Sequence, residues 1–363
     1  MTSSLVVSFV HGYSDLNYDV SKDLLPALWS LDFPASADPE KTGLVHNYPF
    51  PRSASDFFEH ENLVLGSMPL PGASDFKKLP RFGLTGLADF GDYLFAGSWN
   101  AVYKIRKKDF KLQNLISNNL MNDMHGIYVD EHHVITVLTG KDTVVISDHD
   151  GTVVDFFTIG NDLSVFTDDE LIETDWRFLS KQFRGSTGLW HFNYVQKFDD
   201  EIWLTSRNVS AFVVVNLRTR SAHLRTMNLM TPVLIHDGVF QDGQFLFTSV
   251  DGKIIIAEHF GTAKFSSLEG SENVAKFNRD LEVKITRLEE TKFGREPTWC
   301  RGIERIGAVT YVTVDGRFGS DLSFGLLGVN QTGDVVLEKR LRWSDIGSES
   351  DLRQVTGFDV LAF

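Results

Sequence analysis

Histidine is the residue type whose spacing in this chain first suggests chemistry. Of the 11 histidines, His125, His191 and His236 each open a unit that consists of an apolar strand, a short polar turn and a second apolar strand. If these units are repeats of one motif, the three imidazoles occupy one equivalent position. Neutral imidazoles bind Zn²⁺, Fe²⁺ and Mn²⁺, and three of them leave open coordination positions for a substrate. The pattern therefore predicts a three-histidine centre for a divalent transition metal (Fe, Mn or Zn).

The strand–turn–strand unit recurs with the spacing of propeller blades. Copies begin near Thr85, His125, His191, His236 and Arg301. Two of the separations lie at about 40–45 residues, the period of four-stranded blades, and two equal that period plus about 20 residues. These five copies predict five blades, with insertions after the second and the fourth.

The two ends of the sequence supply a sixth blade. Thr356 and Gly357 repeat the Thr85–Gly86 pair that opens the first copy, and residues 5–10 have the apolar character of a second strand. Sharing a blade between the ends closes the ring and leaves no open sheet edge. We therefore predict an all-β fold, a six-bladed β-propeller formed by a single domain over residues 1–363. Its last blade is closed by N- and C-terminal strands, and a few short helical insertions interrupt it.

Three insertions interrupt the repeats. Residues 25–80 are rich in proline and are predicted to be irregular, with an outer strand near residues 63–65. Residues 160–188 begin with the capping-box pattern of residues 167–170, which predicts a helix that either covers the channel mouth or packs on the ring. Residues 259–298 are polar and contain a predicted strand over residues 281–288.

Aligning the copies at their first inner-strand residue predicts a ring of side chains around the axis. Arg301 would orient an anionic group of the substrate, and the small threonines would leave room for it. The alternative is that these polar groups bind only backbone atoms and channel water, and that Arg301 forms an ion pair with a neighbour such as Asp237 or Glu304. The predicted ring consists of Thr85, His125, His191, His236, Arg301 and Thr356.

The ends of the second strands predict a further ring at the same face. His11 and Asp315 are candidates for proton transfer, and Trp99 for stacking on a substrate. Arg207 and Arg317 are candidates for binding an anion. The alternatives are a turn role for the aspartate and packing for the tryptophan.

Composition limits the classes of function. The formal net charge of −14 argues against nucleic-acid binding and against binding to an anionic membrane. The single cysteine, Cys300, fits a reducing compartment, and residues 1–10 lack the features of a secretory signal. We therefore expect a cytoplasmic protein with a small-molecule substrate and no membrane partner. No dinucleotide or phosphate-loop motif is present, so no nucleotide cofactor is expected.

The strand–turn–strand units, such as residues 124–138 and 235–248, resemble the six-bladed propellers of the NHL, gluconolactonase and strictosidine-synthase type. Gluconolactonase-like members use a carboxylate-rich calcium site, whereas this chain has histidines in the equivalent region. That set is similar to the histidine-liganded centres of some propeller lyases and oxygenases, whose blade number or spacing differs. The hypothesis is a metal-dependent enzyme (lyase, hydrolase or oxygenase) for a small anionic substrate. The alternative is a metal-free propeller that binds a protein or glycan.

Overall fold

Six antiparallel sheets make up the described part of the chain. The structure is a computed structural model. It describes residues 3–12, 27–33, 43–48, 81–167, 173, 175–178, 190–226, 234–250, 252–258, 283–287, 299–318, 321–342 and 354–363.

One sheet, blade 6, joins strands from both ends of the sequence. Its order is β26-β1-β2-β3, and β4 also pairs with β1. The strands are β1 (Ser3–Gly12), β2 (Ala27–Phe33), β3 (Leu44–Asn47), β4 (Arg81–Gly83) and β26 (Gln354–Ala362). The predicted closure of the ring by a shared blade is thus confirmed.

Each of the other five blades is built from consecutive strands, with the first strand innermost. Blade 1 contains β5 (Leu87–Phe90), β6 (Tyr93–Gly97), β7 (Val102–Arg106) and β8 (Lys111–Ile116). Blade 2 contains β9 (Met124–Val129), β10 (Val134–Leu138), β11 (Thr143–Ser147), β12 (Val153–Ile159) and the short β13 (Val165–Phe166). Blade 3 contains β14 (Phe192–Phe198), β15 (Glu201–Ser206), β16 (Ala211–Asn216) and β17 (Ser221–Thr226).

Blades 4 and 5 repeat this arrangement. Blade 4 contains β18 (Ile235–Gln241), β19 (Gln244–Ser249), β20 (Lys253–Glu258) and β21 (Val283–Arg287). Blade 5 contains β22 (Trp299–Ile306), β23 (Val309–Phe318), β24 (Asp321–Asn330) and β25 (Val335–Arg342). No helix among the described residues is long and apolar enough to cross a membrane.

The predicted insertions have different outcomes. Residues 25–80 were expected to be irregular, but they supply β2 and β3 of blade 6; the predicted strand at residues 63–65 lies outside the described residues. The strand expected over residues 281–288 is β21. The helix predicted to follow residue 167 falls mostly outside the described residues, and its described part includes a 3-10 turn at Trp176–Phe178.

Six apolar clusters lie between neighbouring blades and close the ring. In β1, Leu5 and Val7 belong to the cluster shared with blade 5, while Val6 belongs to the cluster shared with blade 1. Successive side chains of a strand point to opposite faces, so a strand in a middle layer is apolar at nearly every position. Blades 3 and 4 meet through aromatic side chains, with the Phe212 and Phe245 rings 4.7 Å apart.

A β-bulge interrupts the pairing of the innermost strand at the same point in blades 2 to 5. Met124 pairs with Leu138, but Ile127 pairs with Thr136, so one extra residue lies on the inner strand. The same shift occurs at Phe192/Val195, Ile235/Gly238 and Cys300/Ile303. A bulge redirects side chains locally and is common beside functional sites. In this fold it determines which residues face the axis.

Candidate functional site

The bulges define the ring of axial positions. The first bulge residue is His125 in blade 2, His236 in blade 4 and Arg301 in blade 5. In blade 3 the same position is held by Asn193, because Phe192 is the last residue paired before the bulge. The alignment of His191 with this position was therefore wrong by two residues. In blade 6 the extra residue is Phe358, between Gly357 and Asp359, so Thr356 is displaced by two residues as well.

Three imidazoles nevertheless come together at the axis. The ring centroids of His125 and His236 are 6.0 Å apart, although their strands belong to blades separated by blade 3. The ring of His191 approaches from the entry to blade 3, 5.7 Å from His125. His191 has a positive φ of 50°, and its N–H donates to Asp142 Oδ1 over 2.9 Å. The loop before β14 thus brings His191 to the cluster from outside the strand register.

Two guanidinium groups contact this cluster. Nη1 of Arg301 donates to Nε2 of His236 over 3.0 Å, and Nη1 of Arg207 lies 3.5 Å from Nε2 of His191. Since guanidinium can only donate, these two Nε2 atoms are acceptors and the rings are neutral. Burial, followed by the charge of Arg301, holds the pKa of His236 well below its usual value.

The imidazole nitrogens are not arranged around a common point. Among the residues that the structure describes, no group of three or more His, Cys, Asp or Glu side chains is placed to hold a metal ion. His236 Nε2 is occupied by Arg301, and His125 Nε2 faces Asp123 Oδ1 at 3.7 Å. A metal at this position would need different rotamers of these rings.

Carboxyl groups lie next to the imidazole cluster. Asp237, immediately after His236, is within hydrogen-bonding reach of Asp359 on the innermost strand of blade 6. Burial and the neighbouring Asp359 hold the pKa of Asp237 well above its usual value, and burial raises the pKa of Asp359 to about 6. Burial also raises the pKa of Glu304 to about 8. The two guanidinium groups of the cluster therefore adjoin buried carboxyls whose pKa values are raised.

Asp359 also ties the ring together. Its Oδ2 accepts from the N–H of Leu87 in blade 1 over 2.5 Å. Its backbone N–H donates to the hydroxyl of Ser8, which like Asp359 lies in blade 6, over 3.0 Å. Ser8 in turn donates to the carbonyl of Thr85 over 2.6 Å. These bonds join blade 6 to blade 1 at the axis.

Sequence reasoning missed Asn193 and Asp359, and it named Asp237 and Glu304 only as ion-pair neighbours of Arg301. Each follows or occupies a bulge, and a bulge has no signature in the spacing of apolar residues. The signal available in the sequence was the polar pair His236–Asp237 inside an otherwise apolar strand.

The other predicted site residues divide into two groups. Thr85 donates to the carbonyl of Met124 over 2.8 Å, which is a link between blades, and Trp99 packs in the core between blades 6 and 1. Their roles in substrate binding stay predictions. For the remaining predicted residues the structure describes only the strand backbone: His11, Asp315, Arg317 and Thr356.

Comparisons with known proteins assign no family to this chain. No protein-family model matches the chain, and no curated protein matches it. Among solved structures, a member of the DUF4221 family from Bacteroides vulgatus is 9% identical, covering 77% of this chain and 92% of that one, with a TM-score of 0.43.

Two further solved structures are similar at the same level. The Cps50 (Swd1) β-propeller domain of Myceliophteria thermophila is 10% identical, covers 70% of this chain and 86% of that one, and has a TM-score of 0.43. BamB from Moraxella catarrhalis is 10% identical, covers 87% and 70%, and has a TM-score of 0.34. The chain is a six-bladed β-propeller, and likenesses at these identities carry no argument about its function.

Proposed function

We propose that the axial cluster of Arg207, Arg301 and the three histidines binds a small anionic molecule. The observation that carries the proposal is the pair of guanidinium groups held against neutral imidazoles. Both guanidinium charges reach His236 and lower its pKa. A cluster in which two cations already suppress protonation of a third group favours an incoming negative charge. This local charge opposes the overall acidity of the chain.

The donors suit a planar or tetrahedral oxyanion. Guanidinium presents paired N–H groups that match the two oxygens of a carboxylate or phosphate. Arg301 is 3% exposed, and hydrogen bonds to charged groups are stronger in such a low-dielectric setting. The half-buried His191 lies at the outer side of the cluster, where a ligand would enter.

Replacing Arg301 tests the proposal. Arg301→Gln should weaken binding of malonate or inorganic phosphate at least tenfold, or about 1.4 kcal/mol, and Arg301→Lys should be intermediate because it keeps the charge without the paired donors. Isothermal titration calorimetry measures both. Arg305→Gln is the matched control, since it removes the same charge from the same strand, and should bind like the parent protein. Equal affinities of the parent protein and Arg301→Gln would contradict the proposal.

A second candidate is the predicted metal-dependent enzyme. What favours it is the approach of the His191 and His236 rings to within 5.7 and 6.0 Å of His125. In this proposal His125, His191 and His236 would hold Fe, Mn or Zn, and Arg301 would bind the substrate anion. The chemistry would be elimination, hydrolysis or oxygen transfer, because the fold does not select among them. His11 and Asp315 would transfer protons at the mouth.

Metal content distinguishes the two candidates. If the second is correct, protein purified without chelators should carry about one equivalent of metal by plasma mass spectrometry, and His236→Ala should carry almost none. His132→Ala, in an exposed turn, is the control for surface histidines. Melting temperatures of the variants show whether each remains folded. Equal metal content in the parent protein and His236→Ala would exclude the three-histidine centre.

Three further predictions from the sequence are also proposals. They are a cytoplasmic location, the finer resemblance to the NHL, gluconolactonase and strictosidine-synthase group, and a metal-free propeller with a protein or glycan partner. The buried thiol of Cys300, which forms no disulfide, supports the cytoplasmic location.

A further inference from the structure

Asn193 is an axial side chain whose polar atoms lack partners. It is 2% exposed, and neither Nδ2 nor Oδ1 has a hydrogen-bond partner among the described residues. Its bulge position lies between those of His125 and His236, whose rings meet across the axis. A buried amide left without partners costs about 1–3 kcal/mol. Such a group at an axial position of the strand register indicates a ligand that both donates and accepts hydrogen bonds.

Asp237, on blade 4, also has a buried side-chain oxygen that lacks a hydrogen-bond donor among the described residues. It is 6% exposed. Its Oδ1 accepts from the N–H of Gly238 over 2.8 Å, whereas Oδ2 receives no hydrogen bond from a described N–H or O–H group. The Asp359 carboxyl faces it, and the charge of Arg301 reaches it. A cationic ligand group could donate hydrogen bonds to both carboxyls.

The guanidinium of Arg301 and the carboxyl pair of Asp237 and Asp359 lie next to each other and have opposite polarity. His236, which accepts from Arg301, and Asp237 are consecutive residues, so their Cα atoms are about 3.8 Å apart. The guanidinium end would hold an anion, and the carboxyl pair would hold a cation a few ångströms away. The amide of Asn193 lies on the neighbouring blade, with one donor face and one acceptor face.

We propose that the axial site takes a small zwitterion of the α-amino-acid type, with its carboxylate at Arg301 and its ammonium at Asp237 and Asp359. Asn193 would contact both groups. The proposal rests on the anion site proposed above and narrows its substrate class.

The test is a ligand series measured by titration calorimetry. Each standard α-amino acid is titrated at neutral pH, followed by the N-acetyl and α-amide derivatives of the best binder. We expect one or more free amino acids to bind and both derivatives to bind at least tenfold more weakly. The N-acetyl compound lacks the ammonium and the amide lacks the carboxylate.

Variants test which residues contact the ammonium and the carboxylate ends of the ligand. Asp237→Asn should weaken the free amino acid at least tenfold and leave the N-acetyl compound unchanged, whereas Asn193→Ala should weaken the free amino acid. Asp242→Asn, in the exposed turn of the same blade, is the control. Asp359→Asn replaces Asp237→Asn in this test if Asp237→Asn does not fold. If neither variant folds, the ligand series measured on the parent protein tests the proposal.

The outcomes separate this inference from the anion site. If the N-acetyl compound, malonate or phosphate binds as well as any free amino acid, the zwitterion is excluded and the anion site stands. If no member of the series and no simple anion binds, both proposals fail.

Discussion

Gly302→Ala should destabilise the protein by at least about 3 kcal/mol, toward the upper end of single-substitution effects. A Cβ at this position would lie 2.4 Å from Cα of Asp359 and 2.6 Å from N of Val360. These are backbone atoms of the innermost strand of blade 6, so they cannot move aside as a flexible side chain would. Either the bulge of β22 or the inner strand of blade 6 must shift, and with it the hydrogen bond from Leu87 to Asp359.

Urea denaturation followed by tryptophan fluorescence measures this loss. Gly126→Ala is the matched comparison, because it occupies the same bulge position in blade 2 and its Cβ would meet backbone atoms at 3.0–3.2 Å. Its cost should be smaller, about 1–2 kcal/mol. The explanation fails if Gly302→Ala unfolds at the same urea concentration as Gly126→Ala or at a higher one.

The close packing at Gly302 matters for function as well as for stability. Gly302 follows Arg301 directly, and its close contact with Asp359 sets the distance between the guanidinium and the carboxyl pair. In the proposed ligand site, the guanidinium and the carboxyl pair must keep their separation within about 0.5 Å for productive geometry.

The architecture could be predicted from the sequence because blades are periodic. Alternating apolar residues and turn pairs recur at blade spacing, and the pairing of β26 with β1 follows from the need to close the ring. The outer strands of blade 6 could not be placed, because β2 and β3 lie among prolines that indicate irregular structure. The segment around Trp29 does have the alternating apolar pattern of a strand, which was the signal available.

The site could be predicted only in part, for a reason that lies in the bulges. His125, His236 and Arg301 were correctly aligned because each is followed by the same number of residues before the next paired position. In blade 3 the sequence Trp190–His191–Phe192 resembles that pattern two residues too early. Pairing places Asn193 at the axis, and His191 reaches the cluster through a loop with positive φ. Apolar periodicity does not encode a one-residue bulge.

The pairing of Asp237 with Asp359 was missed for a different reason. Asp237 and Asp359 are far apart in the sequence and belong to blades 4 and 6, so neither has a local partner. Their proximity depends on the close packing of β22, between them, against β26 at Gly302. Such a contact across the ring follows from tertiary structure alone.

Glu304→Gln should remove a destabilisation that increases with pH. In the folded protein burial raises the pKa of Glu304 from 4.5 to about 8. The unfolded chain therefore loses this proton near pH 4.5, whereas the folded chain keeps it until about pH 8. Because the folded state binds more protons over that interval, its stability falls as pH rises from about 4.5 to 8 and is constant above. The upper limit of the loss is about 5 kcal/mol, at about 1.4 kcal/mol per pH unit.

Glutamine keeps the acceptor that Arg305 N–H uses over 2.9 Å and does not ionise. We expect Glu304→Gln and the parent protein to have similar stability at pH 5, and the variant to be more stable by several kcal/mol at pH 8.5, as measured by urea denaturation at each pH. Glu131→Gln, in an exposed turn, should follow the parent protein throughout.

The difference between variant and parent is the informative quantity, because other groups titrate in the same interval with the opposite sign. Burial lowers the pKa of His236 well below 6.5 and that of His223 to about 4, so these histidines add stability as pH rises to about 6.5. They contribute equally to both proteins and cancel in the difference. If the two proteins keep a constant stability difference from pH 5 to 8.5, Glu304 does not hold a proton in the folded state. In that case Glu304 would carry a negative charge at neutral pH, close enough to Asp359 to interact with it.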